Sequence, residues 1–150
     1  MRALIVEDEC VIALDIEAAL LADGHQVVGI ATCEREALEL ANEADLAFVD
    51  VRLADGLTGP KIAQKLEKGF GVAVIYVTGN PDLIGDNEQG FEIVTKPHTK
   101  ESIVEALRVE AARHSPVSGK WKSSGRTTTI SAGADDPKPS TNQSRSHDRE

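Results

Sequence analysis

Three carboxylates, one ammonium and one hydroxyl stand where short apolar runs of this chain end. Glu7 and Asp8 follow Ala3-Leu4-Ile5-Val6, and Asp50 closes Leu46-Ala47-Phe48-Val49. Thr78 follows the run from Val72 to Val77, and Lys96 follows Phe91 to Thr95. Carboxylates gathered in one cleft repel one another unless a cation sits among them, so metal binding and ionisation are linked. Glu7, Asp8 and Asp50 offer the oxygen ligands that Mg²⁺ takes beside waters and a phosphate. The ion would neutralise charge during in-line transfer of a phosphoryl group to Asp50. Lys96 can pair with a phosphoryl oxygen as a mobile point charge, and the Thr78 hydroxyl can hydrogen-bond the new phosphate. The plainer alternatives are helix caps for the acids, a strand terminator for Thr78 and a surface lysine for Lys96. All of them falling at strand ends weighs against those alternatives.

For these residues to converge, the runs must be strands of one parallel sheet. Continuous apolar runs that stop at polar residues suit buried parallel strands. Between them lie helical patterns. One covers residues 9–22 with Ile12, Ile16, Ala19 and Leu20 on one face, closed by Asp23-Gly24; a strand over Gln26–Ile30 comes next. Thr32 is expected to cap a helix through Asn42, with Ala37, Leu38 and Ala41 inward. A Gly-containing loop from Leu53 to Gly59 leads to a helix over Pro60–Lys68 with proline in its first turn. Thr99 or Ser102 caps a last helix through Arg113, with Ile103, Leu107 and Val104 inward. Strands alternating with helices predict an α/β fold, a doubly wound five-stranded parallel sheet with its site at the strands' carboxyl ends.

The interval from Gly79 to Gly90 breaks the pattern. Asn80-Pro81 disfavours helix before the proline. Gly85-Asp86-Asn87 interrupts any turn begun at Asp82, leaving Leu83 and Ile84 as the only anchors. One turn with two anchors is marginal in water. The expectation is a shortened or irregular helix here, mobile without phosphate and ordered by phosphorylation or a partner.

Composition bounds the rest. The 150 residues carry 16 Lys and Arg against 25 Asp and Glu, a formal net charge of −9. Residues 1–114 hold 10 basic and 21 acidic side chains, and residues 115–150 hold 6 and 4. An acidic protein lacks the basic footprint that duplex DNA or an anionic membrane requires. Ser, Thr, Pro and Gly make up 18 of the last 36 residues, which contain only 5 apolar ones. Such a segment cannot offset its ordering entropy. The expected organisation is one domain over 1–114 and a disordered tail over 115–150. The start of the chain does not read as an export signal, and no apolar run is long enough to span a membrane. Cys10 and Cys33 form no metal-ligand spacing; two buried reduced thiols in a cytoplasmic protein are expected. His98 reads as a solvated loop histidine.

Val6-Glu7-Asp8-Glu9, Phe48-Val49-Asp50-Val51-Arg52, Val77-Thr78-Gly79 and Thr95-Lys96-Pro97, in this order and at these separations, resemble the receiver domain of bacterial two-component response regulators. The resemblance covers Met1 to about His114. It implies a flavodoxin-like fold and Asp50 as phosphoacceptor. It also implies Mg²⁺ on Asp8, Asp50 and the Arg52 carbonyl, with Glu7 acting through water. Lys96 would be the phosphate-pairing lysine, Thr78 the switch hydroxyl, and the Lys96-Pro97 bond cis. The chain departs from the family in its short Thr78-to-Lys96 interval, in Gly79 after the switch threonine, and in Ile93 where a switch aromatic is expected. A Thr-Gly pair with a loosened fourth helix is similar to a subclass of alphaproteobacterial receivers.

The function this implies is a single-domain response regulator. It would take a phosphoryl group from a sensor histidine kinase and signal to a downstream protein or a phosphotransfer protein, or drain phosphate from the kinase. It would not be an enzyme beyond its own phosphoryl transfer and autodephosphorylation. One alternative is a pseudo-receiver that binds without phosphorylation, against which the intact acidic set counts. Another is a phosphatase or phosphotransferase with an aspartyl nucleophile. Such enzymes usually place a second acid two residues after the nucleophile, where this chain has Arg52.

Overall fold

The computed structural model describes residues 1–86 and 91–114; the expectations for residues 87–90 and for a disordered tail over 115–150 lie outside the described residues. Five strands form one parallel sheet: β1 (Arg2–Val6), β2 (Gln26–Ala31), β3 (Leu46–Asp50), β4 (Ala73–Thr78) and β5 (Glu92–Thr95). Four α-helices join them: α1 (Cys10–Ala22), α2 (Glu34–Leu40), α3 (Gly59–Phe70) and α4 (Lys100–Arg113). The strand order is β2-β1-β3-β4-β5. The chain therefore steps outward from β1 to β2, then returns across β1 to continue through β3 to β5. The switch point lies between the carboxyl ends of β1 and β3, where such sheets open a crevice.

The apolar runs divide into two cores according to the pleat. Ala3, Ile5, Phe48, Ile75 and Val77 pack with Ile16 and Leu20 of α1 and Ile103 and Leu107 of α4. Leu4, Val6, Val49, Val74 and Tyr76 pack with Ala37 of α2 and Ile62 and Leu66 of α3. All residues of β3 and β4 are buried, so these strands sit rigidly between helix layers and hold their carboxyl ends fixed.

The helix ends obey local chemistry. Gly71 adopts a left-handed conformation, φ 66°; its N–H donates to the Glu67 carbonyl at 2.9 Å and the Val72 N–H to that of Leu66 at 3.1 Å, which ends α3. At α4 both candidate caps act together: Thr99 is the N-cap and Ser102 its reciprocal partner in a capping box. Thr32, in contrast, is not the cap of α2. Cys33 holds that position, while the Thr32 backbone N–H and hydroxyl both donate to the Glu36 carboxylate at 2.8 and 3.0 Å. The cysteines also depart from expectation: Cys10 is exposed and Cys33 half-buried, both as free thiols. Cys10 is the first residue of α1, at the open rim of the sheet. Between β4 and β5 the described residues include a short 3₁₀ turn, Pro81–Leu83, in keeping with the short, irregular segment expected there. Phe91 sets its ring edge-on to Tyr76, centroids 5.6 Å apart.

Candidate functional site

The register delivers the candidate residues to one edge. Val6 pairs with Val49, so Glu7 comes after β1 where Asp50 closes β3. Asp50 pairs with Val77, and Thr78 pairs with Thr95. The Lys96 N–H donates to the Thr78 carbonyl at 2.9 Å, which carries the lysine past the end of β5 toward the acids.

One oxygen from each of Glu7, Asp8 and Asp50 lies within 4.8 Å of the others. Glu7 is 2% exposed and Asp50 6%. Lys96 Nζ donates to Glu7 Oε2 at 2.8 Å and to Asp50 Oδ2 at 2.9 Å. The backbone fixes the remaining oxygens: the Glu9 N–H donates to Glu7 Oε1 at 3.0 Å, and the Arg52 N–H to Asp50 Oδ1 at 3.2 Å. Burial pushes the Glu7 carboxyl up to about 6, with Asp50 adding repulsion, even though Lys96 and the Glu9 N–H favour its charged form. Burial opposes the charge on Lys96, but its bonds to Glu7 and Asp50 outweigh that and raise its pKa.

Three carboxylates against one ammonium leave the cluster anionic. An all-oxygen donor set in a partly buried cleft suits a hard divalent cation, so the residues present fit the ion that the motifs imply. Arg52 lies two residues beyond Asp50 with its side chain exposed, which leaves its backbone near the cleft and its guanidinium in solvent.

Thr78 is 2% exposed, and its Oγ1 accepts the Asn80 N–H at 3.0 Å. That bond ties the strand end to the first turn after it. The Lys96-Pro97 bond is cis. His98 is half-buried rather than fully solvated, and burial lowers its pKa.

Gly59 is a site residue that no sequence motif marked. A Cβ on it would lie 2.0 Å from the Asp50 carbonyl oxygen and 2.7 Å from Val51 Cα. Its N–H donates to the Val51 carbonyl at 3.1 Å, so α3 begins in contact with the backbone that carries Asp50. The intervening loop folds back on itself through paired Leu53 and Gly56 backbone bonds, with Gly56 at φ 116°. The only signal in the sequence was a glycine preceding a proline at a helix start.

A doubly wound parallel sheet with an acidic trio and a lysine at its switch point defines a receiver-type signalling domain. The chain belongs to the response regulator receiver domain family of two-component signalling, whose family model matches residues 3–108. It is 38% identical over 99 residues to the phyllosphere-induced regulator PhyR of Methylorubrum extorquens, a match covering 63% of this chain and 37% of that protein. It is 29% identical to the transcriptional regulatory protein PdtaR of Mycobacterium tuberculosis, over 75% of this chain and 57% of that one. The chain thus spans between about a third and somewhat over half of these curated relatives. Among solved structures it resembles the anti-anti-sigma factor PhyR of Bartonella quintana, with TM-score 0.67 and 32% identity over 79% of this chain and half of that one. The receiver domain of Erythrobacter litoralis PhyR matches with TM-score 0.64 and 31% identity, over 73% of this chain and 91% of that domain. Receiver domains are signalling proteins rather than ordinary enzymes and work between a phosphodonor kinase and downstream partners. No helix among the described residues is long and apolar enough to cross a membrane.

Proposed function

We propose that Asp50 accepts a phosphoryl group from the phosphohistidine of a sensor kinase and that this domain, residues 1–114, suffices for it. The observation that supports this most is the ammonium of Lys96 bridging Glu7 and Asp50 at the strand ends. Asp8, Asp50 and the Arg52 carbonyl would hold Mg²⁺, with Glu7 acting through water; the ion supplies charge neutralisation at the phosphoryl oxygens. An Asp50 carboxylate oxygen forms the new P–O bond as the P–N bond to the kinase histidine, protonated on its other ring nitrogen, breaks, leaving an acyl phosphate and a neutral imidazole. Lys96, already paired with Asp50, shifts its ammonium to a phosphoryl oxygen. Thr78 donates its hydroxyl to another, and Asn80 moves with it through the bond that Thr78 Oγ1 accepts. Water later hydrolyses the acyl phosphate and restores Asp50. Output passes through protein contacts, to a downstream target or a phosphotransfer protein, or the domain drains phosphate from the kinase in the cytoplasm. Intact-mass analysis after incubation with acetyl phosphate and Mg²⁺ tests the reading. One added phosphoryl group is expected on the wild type and none on Asp50→Ala or with EDTA; equal labelling of the variant would remove the assignment.

A further inference from the structure

The α2–α3 side of the domain carries a feature that the phosphoacceptor site does not use. An open groove of about 500 Å³ runs between Leu38 of α2 and Phe70 at the end of α3, with Lys61, Gln64, Lys65 and Lys68 along it. Leu38 and Phe70 are half-buried against the core and keep apolar surface toward the groove. Lys61, Lys65 and Lys68 stand at i, i+4 and i+7, a row about 10 Å long at helical rise. They hold three of the 10 basic side chains of residues 1–114, whose acidic side chains number 21. Lys61 and Lys65 both pair with Glu34, whereas Lys68 makes no ion pair with a described residue. A basic, apolar-floored groove is thus set into an otherwise acidic domain.

Gly69 adds an independent observation. It lies inside the last turn of α3, where glycine is a poorer helix former than alanine. A Cβ there would meet nothing within 4 Å, so no packing in the fold requires glycine. Its bare backbone widens the groove instead.

We propose that this groove docks a short acidic segment of a partner protein. One large apolar side chain would sit between Leu38 and Phe70, with carboxylates on the lysine row. Charge complementarity selects this occupant. Residues 115–150 of the chain itself carry 6 basic against 4 acidic side chains, a weaker electrostatic match for the lysine row than an acidic segment. Glu34 is the internal competitor, since an incoming carboxylate takes over the ammonium groups it now holds.

The test titrates isotopically labelled full-length chain with a synthetic peptide bearing one tryptophan flanked by aspartates, monitored by amide chemical shifts. Saturable shifts confined to Leu38 and residues 61–70 are expected. Lys61→Glu with Lys68→Glu, both on exposed positions, should weaken binding about tenfold. Gly69→Leu should block binding while leaving the spectrum of the fold intact, and Glu34→Gln should strengthen it about twofold. Equal binding of a peptide with lysines in place of aspartates would overturn the proposal, as would shifts elsewhere or absence of saturation. A concentration-dependent dimer abolished by Gly69→Leu would assign the groove to a second copy of the chain instead.

Discussion

Lys96 Nζ lies 2.9 Å from Asp50 Oδ2, joining residues 46 positions apart across the top of the sheet. The lysine is the only cation in direct contact with the acidic trio among the described residues, since Arg52 is turned to solvent.

That contact predicts the consequence of its loss. Lys96→Met would leave Glu7 and Asp50 facing each other without a counter-charge in a buried cleft, at a cost of roughly 2 to 4 kcal/mol in the absence of metal. Urea denaturation at neutral pH with EDTA checks this. Added Mg²⁺ should recover part of the loss while phosphorylation stays impaired; unchanged stability of the variant with EDTA would contradict the role assigned to the ammonium.

Gly59→Ala should be costly for a different reason. The added Cβ would collide with the Asp50 carbonyl and Val51 Cα, both backbone atoms of a buried strand end. Relief requires α3 or the end of β3 to shift, at about 2 to 3 kcal/mol. Because the displaced backbone carries Asp50, labelling by acetyl phosphate should slow as well. A variant of wild-type stability and labelling rate would show that the two elements are not coupled.

Glu110 supplies the pH dependence. It is 3% exposed on α4, with Arg113 and His114 close to its carboxylate. Burial raises its pKa more than those partners lower it, so the folded state favours the neutral acid. The folded chain then binds the proton more tightly than the unfolded one, and this group's contribution declines as pH rises from the ordinary carboxylate value through the raised one. Glu110→Gln should therefore raise Tm at pH 7 and lose that advantage near pH 4, measured by circular dichroism melts. A Tm lowered at pH 7 would mean that the ion pairs outweigh burial.

The positions of Glu7, Asp8, Asp50, Thr78 and Lys96 were legible because apolar runs of buried parallel strands end abruptly, and the acids stand at those ends. The five strands, the α3 and α4 starts and the break after Thr78 were legible from the same punctuation. What escaped depended on contacts between distant segments. Gly59 is explained only by its approach to β3, which no local pattern reveals. Helical spacing placed Val104 inward on α4, whereas Ala106 and Glu110 are buried and Val104 is half-buried. Glu110 continues the Ile103–Leu107 stripe, but a carboxylate there reads as solvent-facing until Arg113 and His114 are seen beside it. Thr32 resembled a cap because a threonine just ahead of a helical pattern usually is one; here its N–H and hydroxyl bond Glu36 while Cys33 takes the N-cap position.

A protein ending at His114 should fold and accept phosphate like the full chain. Among the described residues both cores draw on residues 1–107, and α4 ends at Arg113. Thermal melts and intact-mass labelling of the shortened protein check this. A molten or unlabelled product would assign residues 115–150 a part in the fold or the site.

The segment after β4 carries the last prediction. From Gly79 to Asp86 the described backbone includes the 3₁₀ turn Pro81–Leu83, closed by Leu83 N–H to the Asn80 carbonyl and Ile84 N–H to that of Pro81, both at 3.1 Å. Leu83 is 38% exposed, and no residue of that turn is buried. Amides in a short turn with so little burial open at small free-energy cost. Thr78 sits immediately before them, its Oγ1 already accepting the Asn80 N–H. When its hydroxyl turns to a phosphoryl group on Asp50, that bond transmits the movement to the turn. Hydrogen exchange at residues 80–86 should be fast in the free protein and slow when a phosphate mimic and Mg²⁺ are added. Thr78→Ala should keep the fast exchange and lose the slowing. Strong protection before any ligand is added would mean that the segment is already ordered and that phosphorylation acts by displacing it.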